Sequence, residues 1–343
     1  MTQTLKVVMA GCGGMSAVWM KTAREIPGLE MVALVDINEE AARKRKDEFG
    51  FTQALIDTDL VRVLDKTSPD IVFDCTVPEA HTGITLAALA HGCHVLGEKP
   101  MADSMDNARK MVQAASKAGK LYAVIQNRRY LPSARRVRHF LNTRSIGQLT
   151  TVNCDFYIGA HFGGFRDHMQ HVLLLDMAIH TFDAARFLTH TDPQSVFCME
   201  WNPAGSWYDH DASAMAIFEM SDGVVYNYRG SWCSEGLSTA WECDWRFLGD
   251  KGSALWDGGE RFQAQVVSQS GGFISGHTDV ALPEVDTTGK VDGHAGLIRE
   301  FVQCVRTGGI PETVCTDNIK SLSMVFGAIQ SAESRRLVDI SSI

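Results

Sequence analysis

The chain divides by its hydrophobic rhythm. From residue 5 to 126, short apolar runs alternate with segments whose apolar positions recur at helical spacing. Lys6–Ala10 (KVVMA), Met31–Val35 (MVALV), Ile71–Phe73, His94–Leu96 and Leu121–Ile125 read as buried strands. Met15–Glu25, Glu39–Glu48, Glu79–His91 and Met105–Ala118 read as the helices between them. Strands with no polar face must be covered on both sides, so this alternation predicts a doubly wound parallel sheet. After about residue 127 the rhythm changes. A helix is expected over Ser133–Leu141, a strand over Thr150–Ile158 and a long helix over about 170–188. From about 195 to 268 the chain reads as successive strands, with two-residue alternation in Ala212–Met220, Val224–Trp232 and Trp241–Leu248. Turn residues such as Ser221-Asp222-Gly223 link them, which predicts a large, mostly antiparallel open sheet with helices on one side. Residues 270–293 carry little pattern and read as loop, and two helices follow near 294–306 and 317–335. No internal repeat stands out.

A length of 343 residues suits two domains. The rhythm places them at 1–127 and 128–343, an α/β domain followed by an α+β domain, with a C-terminal helix able to pack back on the first. With 32 basic and 41 acidic residues the net charge is −9. The densest basic cluster, Arg135-Arg136-Val137-Arg138, reads as a solvated helix face, so no nucleic-acid partner is expected. The nine cysteines are odd in number and lack C-x-x-C spacing, as in a reduced, cytoplasmic protein without a zinc module. Met9-Ala10-Gly11-Cys12 imitates a lipoprotein cleavage box, but the stretch before it is too short for a signal core. No apolar run reaches the roughly 18 residues of a membrane span, so no membrane partner is expected either.

Candidate chemistry begins at the end of the first strand. Gly11-Cys12-Gly13-Gly14-Met15-Ser16 follows G-x-G-x-x-G except that Ser16 stands in the third glycine's place. The first glycine makes the tight turn, the second admits a pyrophosphate, and the third position packs helix on strand. The helix N-terminus then offers N–H groups and partial positive charge to phosphates. Asp36 ends the second strand, 22 residues past Gly14. Its carboxylate is placed to accept from a ribose 2′-hydroxyl and to repel a 2′-phosphate, which favours NAD over NADP. Two further loops leave strand ends, where ligands bind in open α/β sheets: Thr76-Val77-Pro78-Glu79-Ala80-His81 and Gly97-Glu98-Lys99-Pro100. Gly11, Cys12, Gly13, Gly14, Met15, Asp36, Thr76, Val77, Pro78, His81, Glu98, Lys99 and Asn127 form the expected cofactor set. Pro100 is a candidate cis proline.

In the second domain Leu173–Asp183 reads LLLDMAIHTFD. On an α-helix Asp176, His180 and Asp183 fall at i, i+4 and i+7, one face. A carboxylate beside an imidazole can work as a general acid/base pair. Spacing alone supports Asp183, so helix support is its better reading. Arg128 and Arg166 are candidate groups for substrate hydroxyls or carboxylates, and Gly163-Gly164-Phe165-Arg166 reads as a mobile loop. His168 and His171 have H-x-x-H spacing but no third partner at a telling distance, so no metal is expected. Trp201, Trp207, Trp232, Trp241, Trp245 and Trp256 all lie in this domain, where sheet-core or subunit-interface packing is expected of most.

Taken together, the glycine turn, the Thr76–His81 loop, Glu98-Lys99-Pro100, the Asp176–His180 pair and Arg299-Glu300-Phe301 resemble the glucose–fructose oxidoreductase / inositol dehydrogenase / MocA family over nearly the whole chain. The resemblance implies an N-terminal Rossmann domain and a C-terminal domain whose open sheet forms homo-oligomer contacts, in a dimer or tetramer. It also implies that Lys99, Asp176 and His180 match the family's catalytic lysine, aspartate and histidine, and that the substrate is a sugar, polyol or derivative. Oxidising a secondary alcohol removes a hydride from carbon and a proton from oxygen. A nicotinamide takes the hydride, and His180 is the best general base. Asp176 would orient the ring or bind a neighbouring hydroxyl, and Lys99 would stabilise developing alkoxide charge. Two alternatives keep the same fold: a glycoside-cleaving enzyme that returns the hydride, and a dinucleotide-sensing regulatory protein.

Overall fold

A computed structural model describes residues 4–284 and 290–343. Two compact units emerge. One runs to Tyr130 and resumes in the C-terminal part as far as Ile319, and the other holds the segment from Leu131 and the stretch Lys320–Ile343. The first break therefore falls at 130/131 rather than 127/128, and part of the C-terminal region groups with the first unit.

The first unit alternates β1 (Leu5–Ala10), α1 (Ser16–Glu25), β2 (Leu29–Val35), α2 (Glu39–Phe49), β3 (Leu55–Asp57), α3 (Leu60–Thr67), β4 (Ile71–Asp74), α4 (Pro78–Ala90), β5 (His94–Gly97), α5 (Met105–Ala118) and β6 (Tyr122–Val124). The six strands lie parallel in the order β3-β2-β1-β4-β5-β6. Val7, Val8 and Met9 are fully buried, as a strand covered on both faces requires. Side-chain caps fix the helix starts: Asn38 accepts from the Glu40 N–H and Ser104 from the Asn107 N–H. Gly50 and Gly119, both left-handed, end the same two helices. β3 and α3 fill a stretch to which the hydrophobic pattern assigns no element. Asp59 starts α3 by accepting from the Arg62 N–H, but an eight-residue helix and a three-residue strand carry little periodicity. Strand order reverses between β1 and β4, so the crevice at their carboxyl ends is where a ligand belongs.

The second unit opens with α6 (Pro132–Asn142) and β7 (Leu149–Tyr157), continues through α7 (Ile179–Thr189) and then adds β8 (Pro193–Trp201), β9 (Ser213–Met220), β10 (Val225–Ser231), β11 (Asp244–Gly249), β12 (Gly252–Trp256), β13 (Phe262–Gln269) and β14 (Gly276–Asp279). Helices α8 (His294–Thr307) and α9 (Cys315–Ser334) follow, and the chain closes with β15 (Val338–Asp339). Nine strands form one sheet in the order β14-β13-β12-β11-β7-β10-β9-β8-β15, antiparallel except where β10 meets β7. Residues alternate buried and exposed along β8 and β9, so one face is covered and the other open.

Two expectations need correction. Residues 270–293 are not all loop: β14 lies within them, wholly exposed and recruited by pairing with β13 rather than by its own apolar pattern. Residues 285–289 of that segment fall outside the described ones. The single α-helix expected over about 170–188 is also not continuous. His171 is left-handed at φ 51°, Leu173–Ala178 is π-helical, and the α-helix begins only at Ile179. α8, for its part, belongs to the first unit, where Leu297, Ile298, Phe301 and Val302 share a core with Val7, Trp19 and Phe73. No helix of the described residues is long and apolar enough to cross a membrane.

Candidate active site

In the first unit the turn after β1 is held from several directions. Gly11 has φ 86°, and a Cβ there would lie 2.5 Å from the Cys75 carbonyl oxygen. Only glycine lets the ends of β1 and β4 approach so closely. The Ser16 hydroxyl, buried at the head of α1, donates to the Gly13 carbonyl at 2.7 Å, which is why serine serves at this position. Asp36 accepts from the Cys12 N–H at 2.7 Å and from the Asn38 N–H at 2.8 Å. Burial and the Asp36 charge push the Cys12 thiol up to about 12, so it stays protonated and inert. A Cβ on Gly13 or Gly14 would meet nothing within 4 Å. Among the described residues no acceptor meets the N–H groups of Gly13, Gly14 or Met15. Open space above unpaired amides at a helix start fits a dinucleotide diphosphate.

The neighbouring loops rest on buried acids. Asp74, fully buried at the end of β4, accepts from the Thr76 N–H at 3.0 Å and the Thr76 hydroxyl at 2.5 Å, and His81 Nδ1 lies 3.0 Å from its other oxygen. His81 is thus turned inward and braces the loop, while Val77 is exposed and Pro78 begins α4. Glu98 is likewise buried and accepts from Trp19 Nε1 at 2.9 Å and from the Lys99 N–H at 3.2 Å. The Lys99-Pro100 bond is cis. Burial pushes the His294 imidazole down, with Lys99 adding to that effect and Glu98 opposing it, so His294 is a neutral neighbour of both. Asn127 and Arg128 are half-buried on a 3-10 turn over Asn127–Tyr130, whereas Arg129 is buried on Asp317.

In the second unit the π-helical turn carries Asp176, and His180 follows at the start of α7. A π turn displaces the side chains before it relative to those after it, so the simple i, i+4, i+7 face does not apply; such turns recur at functional sites. Arg166 grips Asp176 with both ends of its fork, Nε to Oδ2 at 2.8 Å and Nη2 to Oδ1 at 3.3 Å. Its guanidinium also lies over the rings of Phe162 and Phe165, at 4.9 and 4.8 Å. Phe165 and Trp241 are exposed, and Trp207 stacks on His161. Asp183 is buried and accepts from the Ser321 hydroxyl at 2.7 Å, a structural role. Trp232, Trp245 and Trp256 are core residues, whereas Trp201 and Trp241 are exposed. His168 faces Asp209 at 2.6 Å and His171 faces Glu200 at 2.7 Å, two different carboxylates. Among the described residues no three His, Cys, Asp or Glu side chains are grouped to hold a metal.

Sequence reasoning missed Asp74, Trp19, His294 and Arg45, whose Nη2 donates to the Gly13 carbonyl at 2.9 Å. Asp74 left a signal, a lone acid closing the apolar run Ile71–Phe73. Arg45, one of several charges on an exposed helix, left none.

Residues 5–126 match the oxidoreductase family with an NAD-binding Rossmann fold, and residues 134–255 match the GFO/IDH/MocA C-terminal domain. The chain is similar to the uncharacterised protein y4oX of Sinorhizobium fredii, 28% identical over 342 residues covering 96% of this chain and 93% of that one. It is 25% identical over 347 residues to a D-apiose dehydrogenase of Paraburkholderia graminis, covering 98% and 90%. Its fold is similar to that of an oxidoreductase from Agrobacterium radiobacter solved with NAD+, L-tartaric acid and magnesium, with a TM-score of 0.85 at 20% identity and 99% of both chains covered. This chain belongs to the glucose–fructose oxidoreductase / inositol dehydrogenase / MocA family of NAD-binding oxidoreductases.

Proposed function

We propose that the enzyme is an NAD-dependent dehydrogenase oxidising a secondary alcohol of a sugar, polyol or sugar derivative, with His180 as general base. The observation that carries this reading is the Asp176 carboxylate, fixed by Arg166 on a π-helical turn that leads directly into the helix bearing His180. The similarity to a D-apiose dehydrogenase supports the substrate class. Bound NAD supplies the hydride acceptor. His180 takes the hydroxyl proton, since an imidazole titrates near the working pH. Asp176, paired with Arg166, accepts from a neighbouring substrate hydroxyl. Lys99 donates to the reacting oxygen and offsets its developing charge. Arg166 and Arg128 supply further polar contacts to the substrate.

His180→Ala and Lys99→Ala should each lower kcat by about 10²- to 10⁴-fold in a screen of sugars and polyols with NAD+, read as NADH formation. Calorimetric NADH binding should persist in both. Near-normal turnover of both variants removes the assignment.

We also assign the open face of the nine-stranded sheet to a second copy of the chain. Phe197, Met199, Trp201, Met215, Ile217, Leu255 and Val267 all stand exposed on its strands. Two apolar groups, on β8–β9 and on β12–β13, flank a polar centre on this face, and exposed apolar area of this kind marks an interface.

A further inference from the structure

The glycine turn is held by an acid on one side and a base on the other. Asp36 takes the Cys12 N–H, and Arg45 gives to the carbonyl of the next residue, Gly13. Arg45 reaches the turn from α2, seven residues into the helix. Its other nitrogen pairs with Glu48 at 2.6 Å, and its side chain is 16% exposed. Of its neighbours, Arg43 turns to Glu39 and Lys46 to the Ala54 carbonyl. One guanidinium is therefore fixed on Gly13, next in the chain to Cys12, whose N–H is held by Asp36, the carboxylate expected to read the adenosine ribose.

We propose that Arg45 is a second determinant of cofactor choice, a cation that favours a ribose 2′-phosphate and whose pull Asp36 masks. With a free 2′-hydroxyl, Asp36 accepts the ribose hydrogen bond and Arg45 serves the turn alone. With a 2′-phosphate, Asp36 repels and Arg45 attracts, so discrimination is the difference between two opposed charges. Glu48 holds part of the guanidinium but leaves the fork's remaining N–H groups able to turn to a phosphate. Removing Asp36 then uncovers affinity for NADPH that needs no new residue.

The inference rests on dinucleotide binding at this turn, and the test separates the two. Dissociation constants for NADH and NADPH are measured by calorimetry on the full chain, for wild type, Asp36→Ser, Asp36→Ser/Arg45→Gln and Asp36→Ser/Arg45→Lys. Asp36→Ser should gain about tenfold or more for NADPH, and adding Arg45→Gln should remove about tenfold from NADPH but less than about threefold from NADH. Arg45→Lys, which keeps the charge, should retain most of the gain. Equal loss for both cofactors makes Arg45 a brace of the turn only and overturns the inference. So does an unchanged NADPH affinity, or a loss with Lys as large as with Gln. Failure of wild type to bind either nucleotide would instead sink dinucleotide binding itself.

Discussion

A Cβ at position 11 would collide with backbone, whereas one at position 13 would stand in open space. These two glycines of one motif therefore do different jobs. Gly11 joins β1 to the strand beside it: its N–H donates to the Val35 carbonyl at 2.8 Å, and the Cys75 N–H donates to the Ala10 carbonyl at 2.7 Å just before it. Gly11→Ala should cost about 2–4 kcal/mol, from strain at positive φ together with a contact the two strands can relieve only by parting. Gly13→Ala should change stability by under about 0.5 kcal/mol, because nothing in the chain is displaced. It should nevertheless weaken NADH binding, since the new methyl takes space beside amides that would meet the diphosphate. Denaturant unfolding and calorimetric titration of both variants check the contrast, and equal stability losses would contradict it. The motif was legible because this glycine spacing follows an apolar strand and opens a helix. Its support Arg45 was not, because an arginine on a charged helix shows itself only through a partner far along the chain.

At the scale of elements, the strands of the parallel sheet were legible because each is an apolar run covered on both sides. The segment Leu173–Ala178 was misread because LLLDMA suits an α-helix as well as a π-helix, and no local signal separates the two. The break before it is set by tertiary contacts. His171, left-handed, is tied through Nδ1 to Glu200 on β8, with Glu333 on α9 and Asp211 also close in charge. Its carbonyl accepts from the Leu175 N–H at 3.0 Å, so this histidine closes an α-type turn that leads into the π-helical segment and Asp176. The hydrogen bond to Glu200 raises His171 above its ordinary value, and burial raises Glu200. Both groups bind protons more tightly in the folded chain, so their contribution to stability falls as pH rises. For His171 the contribution is complete below about 6.5 and is lost as pH climbs through the raised value. The thermal midpoint of wild type should therefore decline as pH rises above about 6.5 relative to His171→Asn/Glu200→Gln, a pair that does not titrate. Asparagine also tolerates the left-handed backbone. Parallel midpoint curves for the two proteins would show that the anchor does not titrate in this range.

For the whole molecule, chain order conceals which residues fold together. α8 follows every strand of the antiparallel sheet save the last, yet it completes the core of the first unit, because Phe301 and its neighbours supply the apolar face that Trp19 and Phe73 need. Hydrophobic periodicity identified α8 as a helix but carries no record of its partner. The open sheet face poses the complementary problem, a surface with exposed apolar residues that no described residue of its own unit covers. Its centre is not uniformly greasy: Arg229 and Asp155, directly paired across β10 and β7, hold each other in a two-pronged ion pair at 2.6 Å. A fixed pair of opposite charges, flanked by Met215, Ile217 and Leu255, gives a face with both apolar area and a direction. An isologous dimer pairs such a face with its own copy, so each apolar residue is buried twice per assembly. Ile217→Asp tests this, because the side chain is 52% exposed on β9 and its own unit loses little by the change. If a second copy covers the face, the substitution places two uncompensated carboxylates in the interface, each costing several kcal/mol to desolvate. Light scattering on eluted protein should then read a dimer or tetramer for wild type and a monomer for the variant, with NADH affinity kept. A wild type that elutes as a monomer would leave the apolar row without a second copy to bury it and would overturn the assignment.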